Sequence, residues 1–78
     1  MGVYKKDTLN NDFKIASKNL SIPINFELEA IAEMILKDAP DNRARDMAIS
    51  NLLTAAEMIV YAYAFGTEHD VKWTKVVE

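Results

Sequence analysis

Residues 39–66 read APDNRARDMAISNLLTAAEMIVYAYAFG, and the pattern within them sets the fold class. Pro40 cannot continue a helical hydrogen-bond ladder, and Asp41 and Asn42 are turn formers that also cap the next helix. Beyond them Ile49, Leu52, Ala56, Ile59 and Tyr63 recur in a heptad-like series. Gly66 stands where a glycine is expected just past a helix end. The spacing predicts a helix from about Asn42 to Phe65. A second row, Ala48, Ala55 and Ala62, consists only of small residues, which let another backbone approach closely. From Met58 to Phe65 the helix is apolar on every side, and such a helix must be buried on every side. A single partner helix cannot cover it, so other chains are expected to.

Upstream, Ile24, Leu28, Ile31 and Ile35 recur at spacings of four, three and four, which places them on one helical face. This predicts a first helix from about Pro23 or Asn25 to Asp38, with Asn25 as its N-cap and Glu27 and Glu29 favouring its dipole. Ser21-Ile22-Pro23 bars a helix from entering from the left, because the residue before a proline avoids the α region. Residues 1–22 are polar and without a steady period, and they read as an arm carrying at most a short ordered piece around Phe13 to Ala16. Residues 67–78 read as a short tail. There Val71, Trp73, Val76 and Val77 fit a brief strand or an extended segment laid against a neighbour. The expected architecture is all-α: an antiparallel helical hairpin over 23–66, with an N-terminal arm over 1–22 and a C-terminal tail over 67–78, assembled into a homo-oligomer.

Bulk composition supports assembly and narrows the function. At 78 residues one small hairpin buries too little apolar surface to offset its ordering entropy comfortably. The chain has no cysteine and one histidine, His69, so disulfides and thiolate metal sites are excluded and no metal or cofactor is expected. Oligomerisation is the remaining route to stability. A net charge of −3 argues against binding to DNA, which needs a broad basic face. The longest apolar run falls far short of the roughly 20 residues that span a bilayer. No signal peptide follows Lys5 and Lys6, so a cytoplasmic location is expected. Nucleophile elbow, Walker loop, dinucleotide fingerprint and zinc spacing are all missing, so no catalytic residue is named and no enzyme is expected.

Several residues are nevertheless candidates for binding. Arg43 and Arg45 lie in the opening turn of the second helix, beside backbone N–H groups that favour anions. Their guanidinium forks match phosphate oxygens. The same two arginines also have the spacing for surface ion pairs with Asp41 or Asp46. Ser50 and Asn51 follow one to two turns later, positioned either to hydrogen-bond a ligand or, for Ser50, to bond back to a carbonyl of its own helix. Tyr4, Phe13 and Trp73 lie outside the two helices, with Lys5, Lys6, Lys14 and Lys18 close by in sequence. Such aromatics either stack on bases or pin a segment to an apolar surface. His69, between Glu68 and Asp70, reads as part of a solvated turn.

The turn and second helix resemble a known family, the phage-encoded anti-CBASS and anti-Thoeris proteins that share a helical hairpin domain. In that family a proline-containing turn precedes two arginines one residue apart and then a small-residue helix. Here the pattern is Pro40, Arg43, Arg45, Ala48, Ile49, Ser50, Leu52, Ala55 and Ala62, and it covers roughly residues 28–66. The resemblance implies a sponge: a protein that binds cyclic oligonucleotide or cyclic ADP-ribose-type messengers of bacterial anti-phage defence and holds them without cleavage. It implies a homo-oligomer, often a hexamer in this family, with pockets between protomers, working in the cytoplasm of the infected host. Arg43 and Arg45 would hold phosphates, and Ser50 and Asn51 would contact a base or ribose edge. Phe13 or Tyr4 would offer a stacking surface and Lys14 further charge. The rival expectation is an adaptor hairpin whose apolar helix end docks on a host or phage protein.

Overall fold

The computed structural model describes residues 3–64, which form three helices: α1 Lys6–Ala16, α2 Pro23–Asp38 and α3 Arg43–Ala64. Among these residues no strand occurs, and no helix is long and apolar enough to cross a membrane. The described residues are therefore all-α, as expected, but with three helices packed pairwise against one another where a hairpin with an arm was anticipated. The expectations for Phe65, Gly66, His69, Trp73 and the rest of the tail lie outside the described residues.

α1 is the element that the periodicity understates. Its sequence, KDTLNNDFKIA, is poor in strong helix formers, but Leu9 and Phe13 sit four apart and both are fully buried. Asp7 in the first turn and Lys14 in the last complement the helix dipole. The helix closes without a glycine. Lys18 donates its backbone N–H to the Ile15 carbonyl at 3.0 Å and Asn19 to that of Lys14 at 2.9 Å, the paired bonds of a Schellman ending. This places Lys18 at φ 54° and Asn19 at φ 61°, both in the left-handed region. Asparagine tolerates that region and lysine does not favour it. The Lys18 ammonium lies 5.5 Å from the centre of the Tyr61 ring on α3, which helps hold the turn against the bundle.

α2 begins with Ile22 extended and Pro23 at its first position, where the missing N–H costs nothing. The start at Pro23 leaves no acidic residue in the first turn, so Glu27 and Glu29 sit too far along the helix to serve its dipole as anticipated. Asn25 is not the cap either. It lies inside the helix, 4% exposed, and its side-chain Nδ2 donates to Ser17 Oγ at 2.8 Å and to the Ala56 carbonyl at 3.1 Å. One amide thus ties the end of α1, the start of α2 and the middle of α3 together, while its Oδ1 is buried without a partner. The inward stripe of α2 consequently runs Asn25, Leu28, Ala32, Ile35 and Leu36. Ile24 and Ile31, expected on that stripe, are exposed, as are Phe26 and Met34.

α3 starts where the turn chemistry dictates. Asn42 Oδ1 accepts the Arg45 backbone N–H at 2.8 Å, a side-chain N-cap. Ile49, Ala56 and Val60 are fully buried, with Leu52 and Leu53 packed beside the core, while Tyr63 at the far end of the expected stripe is exposed. The core joins Leu9 and Phe13 of α1, Ala32 of α2, and Ile49 and Ala56 of α3. Two of these five are alanines, so α2 and α3 approach closely and α1 supplies the bulk that fills the space between them. Asn10 Nδ2 closes the outer edge of the α1–α2 contact with a 2.7 Å bond to Glu29 Oε2.

Candidate phosphate-binding surfaces

The α2–α3 turn and the opening of α3 separate the two arginines. Arg43 is exposed. The Arg45 side chain is only 9% exposed and its guanidinium is committed within the chain. Nη2 donates to Asp41 Oδ1 at 3.1 Å and Nη1 to the Leu36 carbonyl at 3.4 Å. Nε faces Asp46 Oδ1 at 3.8 Å, too far for a hydrogen bond. Asp46 in turn accepts the Val3 backbone N–H through Oδ2 at 3.2 Å, so the first described residue is held against α3. The ion-pair alternative weighed for the arginines is what Arg45 adopts. Its bonds fasten the end of α2 to the start of α3.

The remaining candidates fall around three recesses. A cleft of about 280 Å³ between α1 and α2 is lined by Phe13, Lys14, Asn19, Asn25, Phe26 and Glu29. Phe13 is 2% exposed and belongs to the core, so its ring is not free to stack on a ligand as the resemblance would have it, whereas Lys14 at the rim is exposed. A groove of about 590 Å³ between α1 and α3 is lined by Tyr4, Thr8, Asp12, Lys18, Ser50 and Glu57. Here Ser50 is exposed, and its carbonyl accepts the Thr54 hydroxyl at 3.1 Å. The third recess, about 480 Å³, opens where α1 and α3 begin and α2 ends, and it includes Tyr4, Lys5, Lys6, Glu33, Lys37 and Arg45.

Within one chain the seven predicted residues therefore do not form one pocket. Tyr4 is the only one shared by two recesses, bringing Ser50 to one side of it and Arg45 to the other. Asn51 and Arg43 are both exposed and line none of the three recesses. No protein-family model matches the chain, and no curated protein or solved structure is significantly similar to it. What the site can do must be read from its own side chains. Among the described residues, no three of His, Cys, Asp or Glu gather where they could hold a metal ion.

Sequence reasoning missed two residues that the structure brings forward. Lys37 stands at the end of α2, 31 positions from Lys6, yet lines the same recess. No spacing rule connects them, since only the packing of α1 on α2 does. Asn25 carries a legible signal, an amide in an otherwise apolar run, but a helix start offers an amide two roles, cap or buried tie. Only the position of Ser17 and Ala56 decides between them.

Proposed function

We propose that the chain is a sequestering protein that binds cyclic oligonucleotide or cyclic ADP-ribose-type messengers in sites completed between copies of itself, and holds them without cleaving them. The observation that carries this reading is the disposition of the turn. Arg43 stands exposed in the first turn of α3, where unpaired backbone N–H groups favour an anion, while Arg45 braces the turn from beneath. The resemblance of residues 28–66 to the phage sponge family rests on the same turn.

Sites between protomers also fit the scatter of the candidates, which one chain leaves on separate surfaces. Exposed apolar residues are available for such contacts: Ile24, Ile31 and Met34 on α2, with Met47 and Tyr63 on α3. A small monomer gains nothing from displaying them to water. A homo-oligomer, a hexamer by analogy with the family, would bury them and set Arg43 of one copy toward another.

The deciding test is native mass spectrometry of the purified protein, alone and with a panel of cyclic di- and trinucleotides and cyclic ADP-ribose isomers. An oligomer that gains one ligand at fixed stoichiometry, released intact on denaturation, is the expected result. Arg43→Ala should abolish that gain with the oligomer preserved. A stable monomer, or an oligomer indifferent to the panel, would defeat the reading. Recovery of a stoichiometric partner protein would transfer the exposed apolar residues to the adaptor alternative.

A further inference from the structure

The recess at the end of the bundle has a charge that the whole chain does not. The protein carries −3 overall, yet this recess is lined by three lysines and an arginine against two carboxylates. One of those carboxylates, Asp41, is bonded to Arg45 at 3.1 Å. Lys5, Lys6 and Lys37 are all exposed, and among the described residues none has a carboxylate within ion-pair distance. Like charges are gathered there at an electrostatic cost unless an anion joins them.

Three further features point the same way. The α1 N-terminus opens onto this end, and its cap residue, Lys5, makes no side-chain cap bond; Thr8 donates its N–H to the Lys5 carbonyl at 3.1 Å, which leaves the Lys6 and Asp7 N–H groups of the first turn without a side-chain cap. Arg45 lines the recess, 9% exposed, its Nη atoms bonded to Leu36 and Asp41 and its Nε facing Asp46 Oδ1 at 3.8 Å, so it adds a fixed positive charge beside the lysines. Tyr4 is half-buried, packed against the core, and supplies a fixed aromatic wall. The volume, about 480 Å³, lies within the roughly 300–1,000 Å³ typical of small-molecule sites.

We infer that this recess binds the phosphate groups of a nucleotide, with Lys5, Lys6 and Lys37 as the anion contacts, Arg45 as a positioning residue and Tyr4 as the surface beside the base. The site is built from a single chain. It rests on the sequestration reading only for which nucleotide is held in the cell.

The test is a titration of the isotope-labelled full chain with adenosine diphosphate, and separately with pyrophosphate, followed by amide chemical shifts. Saturable shifts confined to residues 4–6, 36–37 and 43–46 are expected, weakening as salt is raised. The Lys5→Gln/Lys6→Gln/Lys37→Gln variant should bind about tenfold more weakly or worse, while Lys18→Gln, on the α1–α3 groove, should bind as the parent does. Circular dichroism of both variants confirms that they remain helical. Shifts that never saturate, that map to the α1–α2 cleft, or that persist unchanged in the triple variant would overturn the site. Pyrophosphate binding as tightly as adenosine diphosphate would overturn its assignment to a nucleotide. Capture of a cyclic messenger with no adenosine diphosphate or pyrophosphate bound at the recess would refute this site and leave the sequestration reading standing. Adenosine diphosphate in the recess with no messenger captured would do the reverse.

Discussion

Replacing Asn25 tests whether one buried amide holds the three helices in register. Its Nδ2 makes two bonds, to Ser17 Oγ at 2.8 Å and to the Ala56 carbonyl at 3.1 Å, and both partners lie on other elements. A buried hydrogen bond contributes about 0.5–1.5 kcal/mol net. Truncation to alanine also opens a small void and leaves the buried Ser17 hydroxyl without its donor. Against this, alanine removes the unpartnered Oδ1, recovering part of its burial penalty. The balance predicts that Asn25→Ala costs about 2–3 kcal/mol, which in a domain of this size lowers Tm by roughly 10–20 °C. That is a large share of the about 4–12 kcal/mol expected for the whole chain. Ser17→Ala should cost about 1 kcal/mol, and the double variant should cost less than the sum by a similar amount, because the two share a bond. Urea and thermal denaturation followed by circular dichroism measure all three.

Asn25→Asp adds a pH signature to the same test. The carboxylate would turn an acceptor toward the Ala56 carbonyl and bury a charge, so its folded-state pKa must rise above the unfolded value of about 3.9. A group raised in this way destabilises least where it is protonated in both states, below about pH 4. Its cost then grows with pH, by about 1.4 kcal/mol per unit, until the folded-state group ionises. Full additivity of Ser17→Ala and Asn25→Ala, an alanine cost under about 0.5 kcal/mol, or a pH-independent Asn25→Asp would refute the tie.

The two arginines of the α3 turn should part company in stability. Arg45→Ala is expected to cost about 2 kcal/mol, since it strips hydrogen bonds from a side chain only 9% exposed, whereas exposed Arg43→Ala should change stability by less than about 0.5 kcal/mol. Equal effects in chemical denaturation would contradict the bracing role given to Arg45. At position 18, glycine and alanine both remove the contact with Tyr61, but only glycine is at ease at φ 54°. Lys18→Ala should therefore be less stable than Lys18→Gly by about 1 kcal/mol, and the opposite order in thermal melts would show that the left-handed turn is not retained.

The sequence by itself determined the elements whose boundaries are written in local chemistry. Pro23 opens α2, the Ala39–Asn42 stretch ends it and starts α3, and the Asn42 cap forms because an amide two residues after Pro40 has the α3 backbone within reach. Asp41 and Arg45, four residues apart, form the ion pair that their spacing allowed. Tyr4 stands beside Lys5 and Lys6 in space because it does so along the chain.

Only tertiary structure decided the rest. α1 looked like an arm because its propensities are weak, and it is a helix because Leu9 and Phe13 find a core between α2 and α3. Periodicity fixes which residues of α2 share a face but not which face has neighbours. With apolar residues nearly all round that helix, α1 and α3 selected Asn25 and Ala32 for burial and left Ile24 and Ile31 outside. For the same reason Phe13 became core while Lys37 joined Lys5 and Lys6. Local chemistry acts over a few bonds, whereas burial and the gathering of charge depend on which distant segments meet.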